Sequence, residues 1–462
     1  MAQGFVDANP TKAFFTNMLT RDIELQDAIL DLLDNCVDGI VRHTTKAKLA
    51  TAKPYQEFSA DIKFDGTSFS ISDDCGGIDK TTALKYAFRF GRDDIDRDGD
   101  KPTVGVYGIG MKRAIFKMGR SASITSQYQT AKSLVVTVPS NWIGTKKWEF
   151  PYAEAGKKLQ KTGTAIRVSD LHPKIADIFS GRTAFENGLI VAISRYYGQI
   201  IAKGFTVTVN GKQVKAGEFK LLFDRSENAR SGSSKITPFV VQGRLKDVSF
   251  ELVCGFYAPI KPDADDDDEL KRSAENSGWT VACNDRIVVY NDKEELTGWG
   301  MRKAKTPRFH QQFVGFAGIV NFRSDNVAAL PMQTTKRGVD ANAPIYMTVR
   351  EFMMEGIRIF TKFTTDWKGD KRVKEVFKHA EPVSIATILK TSTVRQVPQQ
   401  ANVKRSPISL PPKLTSNPAR RISFVKPEKQ VALVADFFDE PDATPSAVGE
   451  FCFEFVLEEA KK

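Results

Sequence analysis

Between Arg21 and Arg42 the chain places six acids, Asp22, Glu24, Asp27, Asp31, Asp34 and Asp38, and no base. Asp27, Asp31, Asn35 and Asp38 follow at spacings of four, four and three, which on a helix puts them on one face. Like charges at i,i+4 destabilise an isolated helix by about 0.2–0.5 kcal/mol per pair. A solvated face would normally mix in Lys or Arg, so a bound divalent cation would account for the pattern; an acidic surface face is the alternative. A second segment, FSISDDCGGIDK, runs a strand into Asp73-Asp74 and then Gly76-Gly77. A carboxylate at a strand end can accept from an exocyclic amine, and the glycines let backbone approach a ligand. A third, GVYGIGMK, carries Gly105, Gly108, Gly110 and Lys112 at the start of a helical stretch. Backbone N–H groups at such a helix start form an anion site, and Lys112 adds a point charge. GxGxxG and Walker A spacings are both absent, so neither a Rossmann nor a P-loop site follows.

The elements around these segments are readable. Residues 11–20 predict a short helix, and Leu25, Ile29, Leu32, Leu33, Cys36 and Ile40 give the acidic helix an apolar face. Two strands follow over 60–73 around Asp65-Gly66, then a helical stretch over Lys80–Phe90. Residues 91–110 are polar and Gly-rich and read as a mobile loop. Strands are expected in 122–170, a helix in 174–203, then a second run of strands from FTVTVNGKQV to VGFAGIVNF, closed by a helix over about Ile345–Trp367. Asp263, Asp265–Asp268 and Glu269 read as a solvated loop. Residues 392–427 hold six prolines and seven bases without an acid, the composition of a disordered linker. VALVADFF and SAVGEFCFEFVLEEA beyond it read as amphipathic helices.

In this order, the acidic helix with its Asn, the strand-end Asp with glycines and the Gly-rich helix start resemble the nucleotide site of the GHKL superfamily. That superfamily includes gyrase B, MutL, MORC proteins, heat-shock chaperones and histidine kinases. The resemblance covers roughly residues 20–170 and continues more weakly to about 365. It implies ATP and Mg2+ as cofactors. Asp31 of DLLDN takes the general-base position and Asn35 the magnesium-ligand position, with Asp38 in the nucleotide-binding set. Asp73 resembles the Asp that reads the adenine amine, and Gly77 the glycine that supports the base. Gly105, Tyr107, Gly108, Ile109, Gly110, Met111 and Lys112 match the phosphate-binding lid, and Thr164 the Thr that completes the adenine contact. Lys336, with Gln333 in LPMQTTKRG, resembles the family's Gln-Thr-Lys loop with one extra Thr, whose Lys meets the terminal phosphate.

Two positions depart from the family. Asp31 stands where most members have Glu, and a displacement of about 1 Å can cost on the order of 100-fold in rate. Cys75 replaces the first glycine of the adenine motif and reads as a small packing residue. The lid, ending in Lys112, looks more like the MORC and MutL branch than the histidine kinases, and no His precedes the acidic helix.

The 462 residues allow two or three domains. The expected fold is α/β: a Bergerat-type α/β sandwich over 1–203, a transducer-like α/β domain over 204–370, a basic Pro-rich linker over 371–429 and a helical segment over 430–462. Five cysteines without CxxC spacing and four scattered histidines argue against a structural zinc site and fit a reduced cytoplasmic protein. No stretch reaches the roughly 20 apolar residues of a membrane span, and no signal peptide is apparent. The net charge of +11 agrees with a polyanionic partner. The resemblance implies slow, Mg-dependent ATP hydrolysis in a clamp that homodimerises on ATP and acts on DNA. No nuclease motif is present, so an effector such as a nuclease would act in trans, as in the restriction or phage-defence clusters that some bacterial relatives resemble. A non-hydrolytic module recruiting a protein partner and a chaperone-like clamp are the alternatives.

Overall fold

Ile29, Leu32, Leu33, Cys36 and Ile40 recur at helical spacing, and Leu25–His43 folds as helix α2 with all five buried. Helix α1 (Lys12–Arg21) precedes it, capped by the Thr11 hydroxyl, which accepts from the Phe14 N–H. The computed structural model describes residues 10–91, 103–104, 108–181, 183–217, 219–226, 235–260, 274–397, 400–408, 410–413 and 422–461. They fall into two units, one reaching residue 412 and the other starting at 413.

In the first unit, alternation sets the strands. Strand β1 (Ser59–Phe64) turns Ala60, Ile62 and Phe64 inward, and β2 (Phe69–Asp73) does the same with Phe69 and Ile71. The Asp65 carboxylate closes the turn between them by accepting from the Thr67 and Ser68 N–H groups. Strands β3 (Gly119–Gln127), β4 (Ser133–Val138), β5 (Tyr152–Ala155), β6 (Gly163–Leu171), β7 (Thr206–Val209) and β8 (Lys212–Gln213) complete an eight-stranded sheet in the order β5-β4-β3-β6-β2-β1-β7-β8. Its pairs are antiparallel except β1–β7. Helix α3 (Gly110–Met118) packs on α2. With helices α4 (Pro173–Ser180), α5 (Thr183–Tyr196) and α6 (Gly198–Ala202), they share one apolar core with the sheet. This is the α/β sandwich. The first domain does not end at 203: Val207 and Val209 of β7 are buried in that same core, so the sheet runs on to residue 213.

A second sheet of seven strands has the order β13-β12-β14-β11-β10-β17-β16. Its members are β10 (Phe239–Leu245), β11 (Val248–Phe256), β12 (Gly278–Cys283), β13 (Arg286–Asp292), β14 (Phe316–Arg323), β16 (Arg395–Val397) and β17 (Gln400–Arg405). Helix α7 (Pro344–Asp366) lies against β10, β11 and β14, burying Tyr346, Met353, Ile357 and Phe360. Strands β9 (Lys220–Asp224) and β15 (Ala380–Ser384) form a separate pair. The expected linker over 371–429 is therefore corrected in its first half: β15, helix α8 (Ile385–Thr391), β16 and β17 are ordered parts of this domain. Its composition is that of a disordered chain, but Val403 is buried between exposed Asn402 and Lys404, the period-2 pattern of a strand. Residues 414–421 and the acidic run at 263–269 lie outside the described residues.

In the second unit, helices α9 (Glu428–Phe437) and α10 (Pro445–Lys461) pair through Phe438 against Phe451 and Phe455. Among the described residues no helix is long and apolar enough to cross a membrane.

Candidate functional site

One end of the site is built at the tip of β2. Asp73 ends that strand, and its Oδ1 accepts from the Cys75 N–H at 2.9 Å and from the Thr164 N–H of neighbouring β6 at 3.2 Å. Cys36 Sγ lies 3.5 Å from Oδ2. Burial pushes the Asp73 carboxyl up to about 6, against the pull of these hydrogen bonds. Gly77 is in the left-handed region (φ 70°), and a Cβ there would come within 2.2 Å of Gln127 O, so no other residue fits. Cys75 is 1 % exposed, a packed thiol.

The other end lies where α3 starts against α2. Gly110 faces Asp31 directly: a Cβ on it would meet Asp31 Cβ at 3.4 Å, an ordinary contact. No side chain caps this helix start, whose first N–H groups lack helical partners. Lys112, expected as a point charge for phosphate, is 3 % exposed and donates to Ala87 O at 2.9 Å and to Gly108 O, tying α3 to the segment before the lid. The cations that face Asp31 are others. Arg113 donates to its Oδ2 through Nε at 3.2 Å and through Nη2, and Lys336 Nζ lies 3.6 Å from Oδ1.

Lys336 also donates to Asp34 Oδ2 at 2.8 Å. Asp34 is 1 % exposed and accepts further from Arg286 Nε at 2.8 Å and from the Tyr197 hydroxyl. Burial pushes Asp34 up, but Arg286 and Lys336 outweigh it and draw its carboxyl down to about 2. Burial alone would lower Lys336; the carboxylates Asp34, Asp31 and Asp38 raise it instead. Asp38 Oδ1 accepts from the Val104 N–H at 2.6 Å, and Arg42 lies 3.7 Å away; burial still raises it. Asp38 thus anchors the end of the lid segment. Asp27 pairs with Arg337. The acids of this helix face protein cations: Arg113 of α3, Arg42 of α2 itself, and Arg286, Lys336 and Arg337 of the second domain.

A cavity of about 340 Å³ joins the two ends. Asp31, Asn35, Asp38, Asp73, Gly77, Gly108, Ile109, Gly110, Met111, Lys112, Thr164 and Lys336 all line it, with Ile71 and Ile166 as apolar wall. Gly105 and Tyr107 lie outside the described residues.

Residues 23–163 match the family of histidine kinase-, DNA gyrase B- and HSP90-like ATPases. The match supports the GHKL superfamily for this domain, and with it ATP binding and ATPase activity at that general level. It contains the acidic helix, Asp73 and α3, and it ends before Thr164 and Lys336. No curated protein matches the chain.

In this GHKL-type domain the sequence reading missed Arg113 and Asp34. Arg113 follows Lys112 directly, one position further round the first turn of α3, and that adjacency was the available signal. Asp34 stands seven residues after Asp27, three after Asp31 and four before Asp38, so it shares their face, and that spacing was the available signal. For Mg2+, the described residues hold no group of three or more His, Cys, Asp or Glu suited to a metal. Asn35 is exposed to the cavity, and no side chain among the described residues bonds its amide. That suits Mg2+ arriving with phosphates, since the ion keeps several waters and takes few protein oxygens. Asn35 would hold it, and it would neutralise phosphate charge.

Proposed function

We propose that the chain is a Mg-dependent ATP-binding and slowly ATP-hydrolysing clamp of the MORC and MutL type. The observation that carries this reading is a single cavity with a buried, backbone-held carboxylate at one end and an uncapped helix start ringed by Arg113 and Lys336 at the other. The adenine amine donates to Asp73, and the phosphates meet the N–H groups of α3. A terminal phosphate competes with Asp31 for Arg113 and Lys336. Once released from these cations, the Asp31 carboxylate takes the proton of the attacking water. Asp is one methylene shorter than Glu, which accords with a slow reaction. ATP orders the lid, closes two protomers into a dimer and seats Lys336 on the phosphate; hydrolysis reopens them. The net charge of +11 supports DNA, or a DNA-processing partner such as a nuclease, as what the clamp acts on.

The pairing of Asp31 with Arg113 and Lys336 also favours a second reading, in which nucleotide is held without turnover and recruits a protein partner. Turnover that rises in Asp31→Glu and vanishes in Asp31→Asn supports hydrolysis; equal, near-zero rates support the recruiting module. The clamp is tested by light scattering with a non-hydrolysable ATP analogue and magnesium, on wild type and Asn35→Ala. A nucleotide-dependent dimer absent from the variant is expected. A constant state despite nucleotide binding would sink the gated dimer.

A further inference from the structure

Strands β12 and β13 meet in the two-residue turn Asn284-Asp285, with φ of 47° and 68°, as a tight hairpin requires. Hairpin tips normally face solvent. This one is buried: Asn284 is 5 %, Asp285 3 % and Arg286 1 % exposed. Each of the three residues grips the first domain. Asn284 Nδ2 donates to Thr103 O at 3.0 Å, beside the Val104 that Asp38 anchors. Asp285 accepts from Tyr55 Oη at 3.1 Å and from Lys203 Nζ at 2.7 Å. Arg286 reaches Asp34 and lies 4.3 Å over the Tyr197 ring.

The two oxygens of Asp34 are divided. Oδ1 takes Arg286 and Tyr197, which fix the carboxylate; Oδ2 takes Lys336 at 2.8 Å, closer than the 3.6 Å from Lys336 to Asp31. Well-packed apolar residues would join helix and hairpin at least as stably. A buried carboxylate shared by two cations does something they would not: it sets where the second cation sits.

We propose that Asp34 is the counter-ion that positions Lys336, and that Arg286 makes this position depend on the β12–β13 hairpin. Asp34 and Arg286 are positioning residues: they act through Lys336, in a reaction that rests on the ATPase reading above. Movement of the second sheet alters Arg286, then Asp34, then the lysine, while Asn284 carries the same movement to Thr103.

The test uses the full chain in two arms. The first needs no nucleotide: trace acetic anhydride labels amines, and mass spectrometry compares Lys336 with exposed Lys378. Loss of the counter-ion in Asp34→Asn lowers the Lys336 pKa and raises its labelling about tenfold. Arg286→Lys, which keeps the charge but not the fork, raises it about threefold. Thermal unfolding checks that both variants are folded, and unchanged labelling in folded variants overturns the proposal. The second arm measures turnover in Arg286→Lys, Lys336→Ala and the double variant. A role through Lys336 gives Arg286→Lys a kcat about tenfold lower at similar KM, with no further loss on top of Lys336→Ala. Independent, additive losses overturn that role. If wild type neither binds nor hydrolyses ATP while Lys336 labelling responds as stated, the ATPase reading fails and the positioning of Lys336 stands.

Discussion

The two ends of the cavity are held by different physics. At the adenine end, Asp73 is fixed by N–H groups of its own strand end and of neighbouring β6, with no cation among its described partners. At the phosphate end, Asp31 and Asp34 are fixed by Arg113, Lys336 and Arg286, which come from α3, a loop and a hairpin. Backbone donors cannot be exchanged for a ligand without unmaking the sheet, so the first end is a preformed receptor. Ion pairs can be exchanged, because a phosphate oxygen replaces a carboxylate oxygen at a guanidinium or ammonium with little change in geometry. On the proposed ATPase reading, one end recognises and the other can switch.

The largest effect is expected at the exchangeable end. Lys336→Ala should lower kcat about 100–1000-fold, as loss of a charge aimed at the reacting phosphate does, with KM nearly unchanged in steady-state assays. A KM that rises as much as kcat falls would make Lys336 an ordinary binding residue and break the comparison. Next, Asp73→Asn should weaken ATP binding about 10–100-fold, the worth of a hydrogen bond to a charged group. A fluorescent nucleotide titration measures it. Its kcat at saturation should stay within a few-fold of wild type.

Acid separates the ends in sign. Asp34 and Asp285 are held near 2 in the folded chain, against about 3.9 unfolded. The stability they contribute is complete above about pH 4 and is lost as pH falls towards 2. Asp73, raised to about 6, behaves in the opposite way: the folded state gains its proton first, so stability does not fall as it titrates. Nucleotide affinity does, by about tenfold per pH unit below 6, because the amine loses its charged acceptor. Between pH 6 and 4.5 the protein should therefore release nucleotide while staying folded, as followed by titration and circular dichroism. Asp73→Asn, measured in parallel, removes the part of the profile due to this carboxyl and leaves that due to the phosphates.

Local pattern carried much of this. The acidic helix, the β1–β2 hairpin, the start of α3 and the Lys336 loop were readable because each is a short segment with a fixed period or a Gly-rich turn. What was not readable depends on distant partners. The protein partners of the α2 acids were not readable, because Arg286, Lys336 and Arg337 lie some 250–310 residues further along the chain, where no helical period reveals them. The bond from Lys112 to Ala87 O was not readable either, because nothing in GVYGIGMK shows that this carbonyl lies within its reach. Strand β7 was assigned to the second domain because its alternation is the same whichever sheet it joins.

The smallest effect tests the receptor end at its departure from the family. Cys75 stands where a glycine was expected, and its N–H donates to Asp73 while its side chain packs at 1 % exposure. Burial raises the thiol, so at neutral pH it stays protonated and slow to alkylate. If backbone alone fixes Asp73, Cys75→Ala should cost about 1 kcal/mol of stability through the lost sulfur volume and change nucleotide affinity by less than about threefold. Denaturant unfolding and the fluorescent titration read the two quantities separately. A tenfold loss of affinity would mean that side-chain packing, and not the N–H groups alone, sets the Asp73 carboxylate. The adenine end would then be as dependent on its neighbours as the phosphate end is.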